Sequence, residues 1–284
     1  MLLILSDGKK GHENQSLGLA EALAKRSGLG YEIQRLSEKS SPKVKPSALI
    51  ATGHATHLPL LRLARKHHAP SILIMKPSII PAAFFSRCLI PEHDLGKRVP
   101  SNVIATFGNL NRIPEELPEK KERGLIMLGG PCKHFQWETT PLVEAICALV
   151  RSRPDLSWTL GDSRRTPAET LSRLRKCDLP LSIMPHQESG PDWLRHSLLL
   201  SREAWVSPDS SSMLYEALTA GCHLGTLPLR ARDTRLSRAH ARLARDGWLT
   251  PFTDDHGSQP LPPPPRKIHE TSRCAELLIA ENLI

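Results

Sequence analysis

Residues 6–15, with the sequence SDGKKGHENQ, bring several reactive side chains together near the start of the chain. They follow an apolar run of four residues and precede an amphipathic segment, which predicts a loop between a buried strand and a helix. Loops at the carboxyl ends of strands form the ligand sites of open α/β sheets. His12 can act as a general base near neutral pH with help from Asp7, and Lys9 can bind phosphate. The alternative is a solvated helix start that is capped by Asn14.

A glycine loop and an arginine pair occur in the other half of the chain. Gly129 and Gly130 follow the apolar run 124–128, and their backbone N–H groups are candidates for binding a phosphate. Arg164 and Arg165 lie between another predicted strand and the start of a helix, and paired guanidinium groups can bind phosphate oxygens bidentately. Each segment is also compatible with a purely structural turn.

A hydroxyl-rich segment at 207–212, SPDSSS, is a third candidate site. Ser210 and Ser211 stand at the start of a predicted helix, where hydroxyl and amide groups can hold an anion. Glu216 lies four residues after Ser212, whereas a capping box needs a spacing of three, so capping does not account for this glutamate. A carboxylate at such a place can bind ribose hydroxyls. The alternative is an exposed helix glutamate.

Three further titratable residues follow predicted strands. Glu92 opens the segment EHD after one strand and is a candidate to assist an acid–base reaction. His54 and His57 have a spacing that can ligate a metal, but the sequence shows no third ligand, which favours a surface or capping role. No Asp-x-Asp occurs in the chain. We therefore expect no metal ion, and phosphate binding by lysine, arginine and helix ends.

The composition restricts the possible classes of protein. A chain of 284 residues with 39% hydrophobic content has room for two domains. No apolar run approaches the roughly 20 residues of a membrane span, and the first run is too short for a signal peptide, so we expect a cytoplasmic protein. The six cysteines form no CxxC pair, which indicates reduced structural thiols. The net charge of +9 favours anionic partners, but no nucleic-acid-binding motif is present and we expect no nucleic acid partner.

Strand and helix patterns alternate along most of the chain, which predicts α/β architecture with parallel sheets. A charged, proline-bearing stretch at 112–123 resembles a linker, and a strand, a glycine loop and a helix follow it again. Helices are predicted at 58–67 and 268–281. The predicted strands are 2–6, 31–36, 48–52, 71–75, 88–91, 103–107, 124–128, 157–160, 181–184, 204–206 and 223–227.

The order of these motifs resembles that of a known family, the mitochondrial-fission "elongated mitochondria" family. The resemblance covers residues 1–252 and includes five segments. Bacterial members of this family are regarded as glycosyltransferases, and plant members are linked to the recruitment of a dynamin-like protein. The segments are DGKKGHENQ at 7–15, PEHD at 91–94, GGP at 129–131, SRRTP at 163–167 and DSSSM at 209–213.

The resemblance implies a GT-B-like fold, with two Rossmann-like domains facing across a cleft. Residues 1–115 would form the acceptor-side domain, 124–256 the nucleotide-sugar domain, and 257–284 a proline-rich linker and closing helix. The catalytic residues would be His12, Asp7 and Glu92. The donor would be bound by Gly129, Gly130, Arg164, Arg165, Ser210, Ser211 and Glu216. Lys9 would lie on the acceptor side with the catalytic residues, and its charge also makes it a candidate phosphate ligand.

These observations predict a metal-independent and cofactor-independent glycosyltransferase. It would move a sugar from a nucleotide-diphosphate donor to a cell-envelope glycolipid such as lipopolysaccharide core. The basic charge suits peripheral docking at the anionic inner face of the membrane, where a glycolipid acceptor would lie. Two alternatives stay open: a nucleotide-sugar epimerase on the same fold, and a non-catalytic scaffold for a membrane-fission partner.

Overall fold

The computed structural model describes residues 1–38, 42, 44–253 and 259–284. The chain forms two compact units, the first from Met1–Glu115 and His269–Ile284 and the second from Glu116–Ile268. The predicted boundary at 256/257 lies outside the described residues. The predicted closing segment is divided, because its helix belongs to the first unit.

The first unit contains a six-stranded, wholly parallel sheet in the order β2-β1-β3-β4-β5-β6. Its central strands are buried on both faces, which explains why they are continuous apolar runs. The strands are β1 Leu2–Ser6, β2 Tyr31–Arg35, β3 Ala48–Thr52, β4 Ser71–Ile74, β5 Arg87–Pro91 and β6 Val103–Thr106. The helices of this unit are α1 Lys10–Ser27, α2 His57–His67 and, at the end of the chain, α8 Glu270–Ala280.

Successive side chains of β1 point to opposite faces of this sheet and build two cores. Leu2 and Ile4 pack in a cluster that includes residues of α1 and α8, whereas Leu3 and Leu5 pack in a cluster that includes Leu60 of α2. Full burial of each such leucine contributes about 1.5–3 kcal/mol. The last helix of the chain therefore completes one layer of the first unit.

The second unit contains another six-stranded parallel sheet, in the order β10-β9-β7-β11-β12-β14. A short antiparallel pair, β8 with β13, accompanies it. The strands are β7 Lys121–Met127, β8 Phe135–Gln136, β9 Ser157–Gly161, β10 Leu181–Met184, β11 Ser201–Val206, β12 His223–Thr226, β13 Arg230–Ala231 and β14 Thr250–Pro251. The helices are α3 Thr139–Ser152, α4 Ala168–Leu174, α5 Trp193–Leu200, α6 Ser211–Thr219 and α7 Arg235–Arg245.

The predicted α/β class with two parallel sheets is confirmed. One local prediction is wrong, because the end of the predicted linker 112–123 is part of β7. Lys121 pairs with Ser201 of β11, and the charged start of β7 stays exposed while its apolar end is buried. The first residues of β7 are held in the sheet by backbone pairing and lie outside the core. They are charged, so a pattern of apolar runs does not include them.

None of the helices in the described parts of the chain is both long enough and apolar enough to cross a membrane.

Candidate functional site

The loops that carry the predicted residues of the first unit lie at one edge of its sheet. All strands are parallel, so every strand ends at the same edge, which is the edge where such sheets bind ligands. Asp7 follows β1, Gly53 follows β3 and Glu92 follows β5. The order of the strands, rather than the order of the chain, decides which of these residues are neighbours.

Asp7 and His12 form a hydrogen-bonded pair. The Asp7 Oδ2 atom lies 2.9 Å from Nδ1 of His12, and the Asp7 side chain is only 5% exposed whereas that of His12 is 23% exposed. A buried carboxylate at this distance favours the tautomer with the proton on Nδ1. The other ring nitrogen, Nε2, then has a lone pair that can accept a proton from a substrate.

The loop between β1 and α1 explains why these two side chains meet. Gly8 has a φ of 77°, which reverses the chain, and its N–H donates to the hydroxyl of Ser6 at 2.9 Å. The Ser6 hydroxyl donates in turn to Glu13. Helix α1 begins at Lys10, so His12 lies in its first turn and its ring reaches back to Asp7.

Lys9 stands at the rim of this pair. Its backbone N–H donates to Oδ1 of Asp7 at 3.2 Å, and its ammonium group lies 3.7 Å from Oδ2. The Lys9 side chain is 71% exposed, so its charge is available to a ligand. Its role in phosphate binding stays a prediction.

Gly53 is a part of the site that was not predicted from the sequence. It adopts a φ of 99°, and a Cβ atom at this position would lie 2.3 Å from Nδ1 of His12 and 3.1 Å from Oδ2 of Asp7. The backbone after β3 therefore packs directly on the pair. A glycine immediately after a buried strand was the available signal, but only the adjacency of β3 and β1 shows what it touches.

Glu92 is more distant from His12 than Asp7 is. It is exposed and begins a short helical turn after β5, three strand positions from β1, which corresponds to about 14 Å at the usual strand spacing. Asp7 is thus the carboxylate that contacts His12 in this structure. The catalytic role of Glu92 stays a prediction.

The two histidines after β3 have separate environments. His57 is buried and packs edge-on against Phe85, with ring centroids 5.8 Å apart. Burial, with a smaller contribution from His54, lowers the pKa of His57. His54 is exposed and bonds to the hydroxyl of Ser78. Among the described residues, no group of three or more His, Cys, Asp or Glu side chains is placed to hold a metal ion.

In the second unit, Asp209 connects the glycine loop at 129–131 to the arginine segment at 163–167. Its side chain is 1% exposed and accepts hydrogen bonds from the Gly130 N–H at 2.8 Å, from Ser207 Oγ at 2.7 Å and from Arg165 Nη2 at 2.7 Å. The Arg165 side chain is 45% exposed, so one side of its guanidinium group faces solvent. In the sequence, Asp209 stood out only as part of the hydroxyl-rich segment and of the DSSSM motif.

The backbone N–H groups of the glycine loop therefore donate to acceptors within the protein. The Gly129 N–H donates to Ser207 Oγ at 2.7 Å, and the Gly130 N–H donates to Asp209. Both amides thus already have acceptors within the protein, and their role as phosphate ligands stays a prediction. A Cβ atom on Gly129 would lie 2.1 Å from Oδ2 of Asp209, and one on Gly130 would lie 2.2 Å from the carbonyl oxygen of Arg165. The glycines are required for close approach of the neighbouring loops.

Hydroxyl groups fix the arginine segment against the same loop. Ser163 Oγ donates to the carbonyl oxygen of Gly129 at 2.7 Å, and the Thr166 hydroxyl donates to the same oxygen. Arg164 is exposed and has no hydrogen-bond or ion-pair partner among the described residues. Its guanidinium group is thus available to an anion.

Helix α6 begins beside Asp209, with Ser210 as its N-cap residue. The Ser210 side chain makes no capping hydrogen bond within the described part of the chain, and Ser210 and Ser211 are half-buried. The first-turn amides and the positive end of the helix dipole are suited to an anion. Glu216 lies in the second turn and is only 8% exposed, so the alternative of a solvated glutamate is wrong.

A second histidine–aspartate pair lies at the carboxyl edge of this sheet. Asp162 follows β9 and His186 follows the adjacent strand β10. Nδ1 of His186 lies 3.0 Å from Oδ2 of Asp162, whose side chain is 3% exposed, and the His186 N–H also donates to this carboxylate. His186 was not predicted as a site residue, because 24 residues separate it from Asp162.

Two parallel sheets with polar groups gathered at their carboxyl edges define a protein with the α/β architecture of the GT-B class. The chain belongs to the mitochondrial fission ELM1 family, whose family model matches residues 10–281. The predicted family resemblance is thereby confirmed.

Solved structures share the fold at low sequence identity. The UDP-GlcNAc 2-epimerase from Neisseria meningitidis bound to UDP-GlcNAc has a TM-score of 0.57 at 12% identity, over 99% of this chain and 98% of that chain. The S. aureus MnaA–UDP complex has a TM-score of 0.56 at 12% identity, over 99% and 88%. The glycotransferase of kitacinnamycin has a TM-score of 0.52 at 15% identity, over 100% and 99%. No curated protein matched the sequence significantly.

Proposed function

We propose that this protein is a glycosyltransferase that moves a sugar from a nucleotide-diphosphate donor to a hydroxyl group of a cell-envelope glycolipid, such as lipopolysaccharide core. The fold supports a nucleotide-sugar enzyme, since two of the similar structures contain UDP or UDP-GlcNAc. The observation that most supports sugar transfer is the buried Asp7 carboxylate that orients His12.

The first unit would activate the acceptor. His12 Nε2 takes the proton of the acceptor hydroxyl while the hydroxyl oxygen attacks the anomeric carbon of the donor sugar. Asp7 keeps the ring in the required orientation and stabilises the imidazolium ion that forms. Such a general base typically accelerates a reaction by about 10²–10⁴-fold.

The second unit would bind the donor and accept the negative charge of the leaving nucleoside diphosphate. Arg164, the solvent-facing side of Arg165 and the first turn of α6 are its anion-binding groups. Glu216 would bind the ribose hydroxyls. In this scheme Gly129 and Gly130 shape the loop, and their amides are not phosphate ligands.

Donor binding can be tested by thermal shift with UDP, TDP, GDP, ADP and their sugars, followed by calorimetry on any hit. A ligand that binds only the folded protein raises its apparent stability by mass action. Arg164→Ala should weaken binding of the hit, whereas Arg238→Ala, which removes another exposed arginine, should not. Absence of binding to every nucleotide diphosphate would refute the donor assignment.

Acceptor activation requires a separate measurement. With the donor identified, His12→Ala and Asp7→Asn should lower kcat for transfer by about 10²–10⁴-fold while donor affinity is retained. Unchanged kcat in both variants would exclude the proposed base.

A nucleotide-sugar epimerase is the second candidate, because one of the similar structures is a UDP-GlcNAc 2-epimerase. The two activities differ in product: an epimerase converts UDP-GlcNAc to an isomeric nucleotide sugar without an acceptor, and a transferase releases UDP only when an acceptor is glycosylated. The non-catalytic scaffold also stays open. It predicts that His12→Ala leaves the biological activity intact.

A further inference from the structure

The net positive charge of the chain comes almost entirely from one stretch of sequence. The 53 residues from Lys39 to Pro91 contain eight Lys or Arg residues and no Asp or Glu. The rest of the chain contains 30 basic and 29 acidic residues and is close to neutral. Nearly all of the net charge of +9 therefore comes from one part of the first unit.

The same stretch exposes large apolar side chains. Leu58 on α2 is 48% exposed, Ile79 in the connection after β4 is 76% exposed, and Phe84 before β5 is 65% exposed. Single exposed apolar residues are common on soluble proteins, but a group of them beside unbalanced positive charge indicates a binding surface.

A cavity brings the two kinds of side chain together. It has a volume of about 950 Å³ and lies between α2 and the segment before β5. Apolar and basic residues share its wall, among them Leu58, Leu61, Phe84, Arg62, Arg65 and Lys66. We call the surface formed by Leu58, Arg62, Arg65, Lys66 and Phe84 the α2 face.

The cations of the α2 face are not neutralised by the protein. Arg62, Arg65 and Lys66 are exposed and have no carboxylate partner among the described residues. The basic helix α7 differs, because Arg238 pairs with Asp233 and Arg242 lies 3.5 Å from the carboxylate of Asp246.

We propose that the α2 face binds the surface of an anionic phospholipid bilayer. Its cations match the negative potential of such a surface, and its apolar side chains can enter the boundary between headgroups and acyl chains. A nucleic acid would satisfy the cations but would leave Leu58 and Phe84 in water. Membrane docking adds to the proposed function, since it would bring the enzyme to a glycolipid acceptor, but it does not depend on catalysis.

Vesicle flotation of the full chain without nucleotide tests this proposal. Vesicles of phosphatidylcholine alone are compared with vesicles of equal parts phosphatidylcholine and phosphatidylglycerol, at low and high salt. We expect binding to the anionic vesicles only, and weaker binding at high salt because the charges are screened.

Two variants and one matched control separate the contribution of charge from that of the apolar side chains. Arg62→Gln with Arg65→Gln and Lys66→Gln should weaken binding by about 100-fold, at about fivefold for each cation. Leu58→Ser with Phe84→Ser should weaken it by about tenfold or more without changing the charge. The same loss of three charges from α7, by Arg238→Gln, Arg242→Gln and Arg245→Gln, should leave most of the binding.

The proposal is overturned if the wild-type protein ignores anionic vesicles, or if the α7 variant loses as much binding as the α2 variant. It is also overturned if a single-stranded RNA binds through Arg62, Arg65 and Lys66 more tightly than the vesicles do and independently of Phe84. Thermal unfolding of each variant shows that it is folded. Nucleotide binding by the same preparations tests the proposed function independently, because a failure of membrane docking leaves it unchanged.

Discussion

Asp209→Ala should destabilise the second unit strongly, because the Asp209 carboxylate is the acceptor for two buried donors. This carboxylate is 1% exposed and accepts hydrogen bonds from the Gly130 N–H and from Ser207 Oγ. A buried donor without an acceptor costs about 1–3 kcal/mol, so the loss of both acceptors costs about 2–6 kcal/mol. Arg165 is not included, because its side chain is 45% exposed and water can replace the ion pair.

Tryptophan fluorescence suits this measurement, because all five tryptophans of the chain lie in the second unit. Urea unfolding followed by fluorescence therefore reports the free energy of unfolding of that unit. Asp209→Asn keeps one carbonyl acceptor and should cost less, about 1–2 kcal/mol. Asp233→Ala removes an acid that is 83% exposed, and should change stability by no more than about 0.5 kcal/mol.

A loss below about 1 kcal/mol for Asp209→Ala would refute the reasoning, since it would show that the two donors find other acceptors. In that case the Gly130 N–H would also be available to a phosphate. The predicted role of the glycine amides as phosphate ligands would then gain support.

Three further changes have expected outcomes. Gly53→Ala should lower the free energy of unfolding by about 1–3 kcal/mol, because an alanine is strained at a φ of 99°. It should also lower activity as His12→Ala does, because the new Cβ would displace the His12 ring from Asp7, and full activity would contradict this contact. Burial lowers the pKa of His57, so the unfolded chain binds a proton more readily and the free energy of unfolding should fall as the pH drops below about 6.5. His57→Gln should reduce this pH dependence in urea unfolding followed by circular dichroism. An unchanged pH dependence in the variant would assign it to other groups. Glu216→Gln should weaken donor binding by about 10–100-fold in calorimetry, because this factor corresponds to the free energy of a hydrogen bond to a charged group. An unchanged affinity would reject the role of Glu216 in binding ribose.

Much of the fold follows from local patterns in the sequence. The strands Leu2–Ser6, Ala48–Thr52 and Leu181–Met184 have the predicted bounds, because the ends of short apolar runs are marked by polar or turn-forming residues. Alternation of such runs with helical patterns requires parallel strands, and parallel strands place all their following loops at one edge. For this reason the residue patterns alone select the loops at 6–15, 129–131 and 162–167 as candidate sites.

The sequence by itself thus determined the α/β class, the family, and the loops in which chemistry can occur. It also placed His12 within reach of Asp7, because five residues separate them across a single turn. Only the tertiary structure showed that Gly53 packs on this pair, that Asp209 occupies the Gly130 amide, and that His186 meets Asp162. Each of these contacts joins loops from different strands, and the order of the strands in the sheet, which short-range patterns do not encode, decides which loops become neighbours.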